Sequence, residues 1–178
     1  MKQEEKENSM NSTVETEIEN YLVNVVEESR EEFGNMAVCP FAKGERISGK
    51  LRVGTFDPGK IPFDDLVRET IERGYQSGLF AVFQGDTPVQ ISHKDTKKFQ
   101  VFLNKTLRLA GLREYKTICF NPNDQVSVDG YNPRSLAPFL LINFASRDIL
   151  NSAHKSLTKT KYFDRLSTEY RKFLKMDP

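Results

Sequence analysis

Tryptophan is absent from this chain of 178 residues, and cysteine and histidine occur only twice each. Two cysteines in a chain this long do not make a disulfide scaffold. Two histidines without clustered His or Cys do not have the spacing of a zinc site. His93 and His154 both stand in polar surroundings, and His93, directly after a helix-capping serine, reads as a surface residue. Long apolar runs are missing too. The longest, Leu136 to Ala145, is too short to span a bilayer. The charged start Met1 to Asn8 has no apolar stretch behind it and does not read as a secretory signal. Nor does one sign of charge dominate: 26 Lys and Arg stand against 25 Asp and Glu. A whole-surface attraction to nucleic acid or to a membrane is therefore not expected, although local clusters can still bind anions. The expectation is a soluble, reduced, cytosolic protein.

What the chain does have is bulky core material: 13 Phe and 6 Tyr within a 38% apolar composition. The polar residues 1–11 read as a disordered tail, and residues 12–178 as one globular domain. Ser12-Thr13-Val14-Glu15 has the form of a capping box. Behind it Val14, Ile18, Leu22, Val25 and Val26 recur at helical spacing, with Gly34 as a stop. Lys50 to Val53 is a short strand candidate. Pro62 suits the first turn of a helix whose stripe is Phe63, Leu66, Val67 and Ile71. The run Leu79–Phe83 has the continuity of a strand buried on both faces.

Ser92 can cap a helix carrying Phe99, Phe102, Leu103, Leu107 and Ala110, which ends at Gly111. Thr117–Phe120 and Pro138–Phe144 read as further buried strands, and Phe163, Leu166, Tyr170, Phe173 and Leu174 as a last helix. Leu79–Phe83, Thr117–Phe120 and Phe139–Phe144 are expected to be the central strands. This alternation predicts an α+β fold, an α/β-like layered sandwich. Its centre would be a mixed sheet of about four strands flanked by helices.

Cys39 precedes Pro40, which pushes it into an extended conformation and suits the start of a helical turn from Pro40 to Lys43. As the N-cap of such a turn, with Lys43 and Arg46 nearby, the thiol would favour its thiolate and could serve as a catalytic nucleophile. The alternative is a packed structural thiol, since Val38 and Phe41 look like core. Cys119, inside an apolar strand, reads as structural, and the two cysteines are not expected to pair.

Lys43, Arg46, Lys50 and Arg52 form either an anion-binding loop or a solvated basic one. Arg134 and Ser135, after Tyr131-Asn132-Pro133 and before the most apolar strand, lie at the mouth of the sheet. Arginine there can hold a carboxylate or phosphate in a two-pronged pair, or tie down the loop itself.

Cys39-Pro40-Phe41-Ala42, Phe120-Asn121-Pro122 and Arg134-Ser135-Leu136-Ala137-Pro138 together resemble the motifs of a bacterial domain family of unknown function. Its members open with Cys-Pro-Phe and close with Arg-Ser-x-x-Pro. The resemblance covers roughly residues 36–150 and is distantly shared by the YcgG-type family, which contains haem-dependent N-hydroxylases. Many relatives carry a histidine where this chain has Asn121, and Leu136 replaces a common proline. From residues and resemblance together, the expected function is a small enzyme acting on a small anionic or amino-acid-like metabolite. Its pocket would lie between the Cys39 turn and the Arg134 loop, with Arg134, Ser135, Lys43 and Asn121 binding substrate. The alternatives are a non-catalytic ligand- or partner-binding module and a haem-dependent oxygenase. No metal site of side chains is expected.

Overall fold

The run Leu79–Phe83 sets the centre of the fold. A computed structural model describes residues 2–160 and 162, with side chains from Met10 onward. Along the chain come α1 (Lys2–Tyr21), a π-helical turn (Leu22–Val26), β1 (Ser29–Arg30), a 3-10 turn (Glu31–Phe33) and β2 (Met36–Ala37). There follow α2 (Ala42–Ile47), β3 (Leu51–Phe56), α3 (Phe63–Glu72), β4 (Ser77–Gln84) and β5 (Thr87–Pro88). The last elements are α4 (His93–Leu109), β6 (Tyr115–Phe120), β7 (Leu141–Ser146) and α5 (Arg147–Leu157).

The main sheet has the order β3-β4-β7-β6, with β5 folded back onto the end of β4. Strands β3 and β4 are parallel and joined through α3. Strand β7 runs antiparallel to both of its neighbours, so β4 and β6 point the same way, with α4 connecting them. This is the expected α+β sandwich with a mixed sheet.

Side chains alternate across the strands and divide the core into two layers. Phe80 and Val82 of β4, Ile142 and Phe144 of β7 and Cys119 of β6 meet Phe63, Leu66 and Val67 of α3 and Leu103 and Leu107 of α4. On the opposite face Leu79, Ala81, Phe83 and Leu141 meet Val14, Ile18 and Tyr21 of α1. Each fully buried ring or branched side chain contributes about 2 kcal/mol. The Phe80 and Phe144 rings stack with centroids 6.1 Å apart, and Gly78 leaves the room they need. A third, smaller cluster of Phe33, Val128 and Tyr162 lies under the β1–β2 hairpin.

Several expectations are corrected. The first helix starts at Lys2, not at Ser12. Lys, Glu and Gln are good helix formers, Met10 packs on the core, and the Thr55 hydroxyl donates to Asn11 Oδ1. Residues 10 and 11 therefore belong to the folded body rather than to a disordered tail. The same helix leaves α geometry at Leu22 and does not run on to Gly34, which instead ends the 3-10 turn in a left-handed conformation.

Strand β6 lies at an edge of the sheet, not in its centre. Its outward backbone groups are closed by amides of α4: Thr117 N–H donates to Asn104 Oδ1, Asn104 Nδ2 donates to Thr117 O, and Cys119 N–H donates to Gln100 Oε1. That arrangement blocks strand addition at this edge. Strand β7 begins at Leu141 rather than Pro138, and α5 was not anticipated. Phe102 points out of the core, 60% exposed. The helix expected through Phe163, Leu166, Tyr170, Phe173 and Leu174 lies outside the described residues. Among the described residues, no helix is long and apolar enough to cross a membrane.

Candidate functional site

The parallel strands β4 and β6 deliver their carboxyl ends to the edge of the sheet where α4 begins, the edge at which α/β folds commonly gather ligands. Ser92 caps α4 by accepting from Asp95 N–H, which fixes His93 as the first helical residue. Beyond β6 the chain turns at Asn121-Pro122-Asn123-Asp124, with Asp124 N–H bonded to Asn121 O at 2.9 Å. The side-chain oxygen of Asn121 accepts from Asn123 N–H, a local turn of the kind asparagine favours. Its amide nitrogen reaches across to Ile91 O and Thr96 Oγ1, stitching β6 to the start of α4.

This geometry brings Asp124 under His93. Asp124 Oδ1 lies 3.0 Å from His93 Nδ1 and also accepts from Val126 N–H at 3.0 Å. Asp124 Oδ2 accepts from an Arg134 guanidinium nitrogen at 3.2 Å. Both Asp124 and Arg134 are buried, and the guanidinium also lies over the Phe120 ring. Asn132 holds the loop by donating to Asp124 O and accepting from Arg134 N–H and Ser135 N–H, while the Ser135 hydroxyl donates back to Asn132 O. From α1, the Tyr21 hydroxyl donates to Pro133 O. A tight turn with positive φ at Asp129 and Gly130 closes the Val128–Tyr131 bridge between the two halves of the loop.

Arg134, Ser135 and Asn121 thus belong to one cluster, but as its frame. Arg134 pairs with Asp124, the Asn121 amide bonds to Ile91, Thr96 and Asn123, and Arg134 and Asn121 are only 5% and 1% exposed. The chemically versatile member is His93. Its side chain is a quarter exposed, and a carboxylate oxygen of Asp124 lies 3.0 Å from its Nδ1. An imidazole set beside a buried carboxylate is a pairing that acid–base histidines use. The sequence reading missed this pair because both histidines have polar neighbours in the chain, and only the fold carries Asp124 to His93.

Cys39 and Lys43 lie on the segment that follows the β1–β2 hairpin. Cys39 N–H donates to Val26 O at the end of the π-helical turn, and Cys39 O accepts from Ala42 N–H. Helix α2 begins at Ala42, so Cys39 is not the cap of a helix starting at Pro40. Arg46 makes a two-pronged pair with Glu27 at 2.7 and 2.8 Å, which lowers the Glu27 pKa. Its charge is therefore matched before it reaches the thiol.

Desolvation pushes the Cys39 thiol above its ordinary value, outweighing the Phe41 and Ala42 N–H groups, and the carboxylates Glu45 and Glu27 act in the same direction. The residue as a whole is exposed, so the thiol meets solvent as well as these two acidic neighbours. An activated thiolate is the opposite of what these surroundings favour. Lys43 is exposed on α2. Of the basic loop, Arg52 also turns inward, to Thr70 and Glu69. Cys119 is buried and its pKa is pushed up to about 12 by desolvation; both cysteines are free.

Among the described residues, no group of three His, Cys, Asp or Glu side chains could hold a metal ion. At the position where relatives in the resembled family carry histidine, Asn121 is buried with its amide committed to Ile91, Thr96 and Asn123. It does not fit the part of an iron ligand. Comparison of the chain with protein-family models, curated proteins and solved structures finds no significant match.

Proposed function

We propose that the protein is an enzyme acting on a small anionic or amino-acid-like metabolite, with His93 as its acid–base group. The observation that carries this reading is the 3.0 Å contact between His93 Nδ1 and the buried Asp124, itself braced by Arg134 and Val126 N–H. A histidine set beside a buried carboxylate can take a proton and return it, work that contributes about 10²–10⁴-fold to rate. The N-terminal end of α4 and Lys94 supply positive potential beside the imidazole, which favours a ligand with a carboxylate or similar group. Arg134 serves this site by holding Asp124 rather than by gripping substrate.

The test is a thermal-shift screen of carboxylate- and amino-acid-bearing metabolites, followed by turnover assays on whatever binds. His93→Gln should keep binding and lose turnover. If wild-type protein binds a metabolite at this site without transforming it, the binding-module reading takes over. The haem-dependent reading requires a Soret band after haem addition, and the arrangement at Asn121 gives it no support.

A further inference from the structure

We propose that the outer face of α4 docks the protein onto an anionic lipid surface. A helix packed on a sheet should turn its polar face to water. Helix α4 buries Leu103 and Leu107 as that rule requires, yet Val101, Phe102 and Leu109 are 63%, 60% and 79% exposed. Phe102 and Leu109 are two turns apart on one side of the helix, with Val101 beside Phe102. Around them stand the exposed cations Lys94, Lys97, Lys98, Lys105 and Arg108, and Asp95 is the sole acid of the helix. That acid is taken up by Ser92 and Lys98. Four units of net positive charge therefore sit on one helix of a chain whose total is +1, and the remainder of the chain is net acidic. Near-neutral overall charge conceals this segregation.

Apolar side chains set among lysines on one helical face are what an interfacial helix presents to a bilayer: the apolar groups enter the acyl boundary and the cations meet anionic headgroups. Nucleic acid would match the charge but would leave Val101, Phe102 and Leu109 without an apolar partner. An acidic peptide joining as a strand is blocked, because Gln100 and Asn104 already close the adjacent β6 edge. A flat anionic surface satisfies both the charge and the apolar groups.

The experiment is co-sedimentation of the full chain with vesicles of phosphatidylcholine alone, and with vesicles of equal parts phosphatidylcholine and phosphatidylserine, at low and high salt. Expected is binding to the anionic vesicles only, weakened by salt. Lys105→Glu should weaken it roughly thirtyfold, since two units of charge change at about 1 kcal/mol each. Phe102→Ser should weaken it roughly tenfold through lost apolar burial. Ile47→Ser, which alters an exposed apolar residue on α2, should leave it unchanged. All three positions are solvent-exposed, and circular dichroism checks that each variant is folded. Failure of folded wild-type protein to sediment with anionic vesicles at low salt overturns the proposal, as does binding that ignores Lys105→Glu and Phe102→Ser. A wild-type dimer that Phe102→Ser converts to monomer also overturns it, and assigns the face to a second copy of the chain.

Discussion

Replacing Gly78 by Ala adds one methyl group at the most crowded point of the sheet. A Cβ built there would lie 2.4 Å from a Phe80 ring carbon and 2.5 and 2.9 Å from two carbons of Phe144. Carbon atoms at rest sit about 3.5–4.0 Å apart, so the rings must yield by about 1 Å. They have little freedom to do so. Phe80 and Phe144 are 1% and 0% exposed and stacked on each other, and Phe144 also abuts Phe63 and Tyr115 at centroid distances of 6.4 and 6.1 Å.

Overpacking of this kind costs about 1–3 kcal/mol. The loss of unfolded-state freedom on going from Gly to Ala offsets about 0.4–1 kcal/mol of that. The net expectation is a destabilisation of about 1–2 kcal/mol, read as a drop of roughly 2–8 °C in Tm for a chain of this size. Thermal and urea unfolding followed by circular dichroism measure it. Adding Phe144→Leu should recover part of the loss, because the two substitutions share one contact. Gly44→Ala is the control: Gly44 lies within α2 with nothing inside 4 Å of the added carbon, so that variant should gain roughly 0.5–1 kcal/mol. A Gly78→Ala protein as stable as wild type would refute the packing argument.

Three further expectations follow from other parts of the structure. Asn104→Leu strips partners from Thr117 N–H and O and should cost about 1–3 kcal/mol, with increased aggregation from the opened β6 edge as the second readout. Arg46→Met should destabilise the protein at neutral pH. Because Glu27 has a lowered pKa in the folded state, its ion pair stabilises above its ordinary value of 4.5 and loses that effect as pH falls through the lower folded value, so wild-type and variant melting temperatures should converge there. With a disulfide reagent such as Ellman's, Cys39 should react in the native protein but more slowly at neutral pH than a free cysteine, and Cys119 only after denaturation.

Strand β4 was legible because a run with no polar break can be satisfied only by burial on both faces, and that is where Leu79–Phe83 lies. The same logic misplaced Thr117–Phe120. Apolar continuity reports what covers the faces of a strand, not whether a neighbour lies beyond its edge, and here the cover at the edge comes from Gln100 and Asn104, two polar residues of a helix. Helix α3, with Pro62 before it and Gly74 after it, followed its punctuation closely.

No such punctuation marks the change at Leu22, where the apolar spacing runs on although the backbone leaves α geometry. Within the site, Arg134 and Asn121 were recognisable as polar residues at chain reversals beside apolar strands. Their task was not, because a buried guanidinium or amide shows its partner only once the chain is folded. Asp124 and His93 carry no mark in their own neighbourhoods, and their meeting is a product of the α4 crossover.

The antiparallel strand β7, set between the parallel strands β4 and β6, also governs the timetable of assembly. During synthesis β4 and β6 leave the ribosome before β7 does, and they cannot pair with each other in the final sheet, because the slot between them belongs to residues 141–146. Until that segment emerges, two mostly apolar strands each present an unpaired side, the kind of surface that recruits other chains. The nascent protein thus resembles an arch awaiting its keystone. A ribosome that stalls shortly before residue 141 would release a chain with every helix of the α3–α4 layer in place and no closed sheet for that layer to cover, a natural client for chaperones.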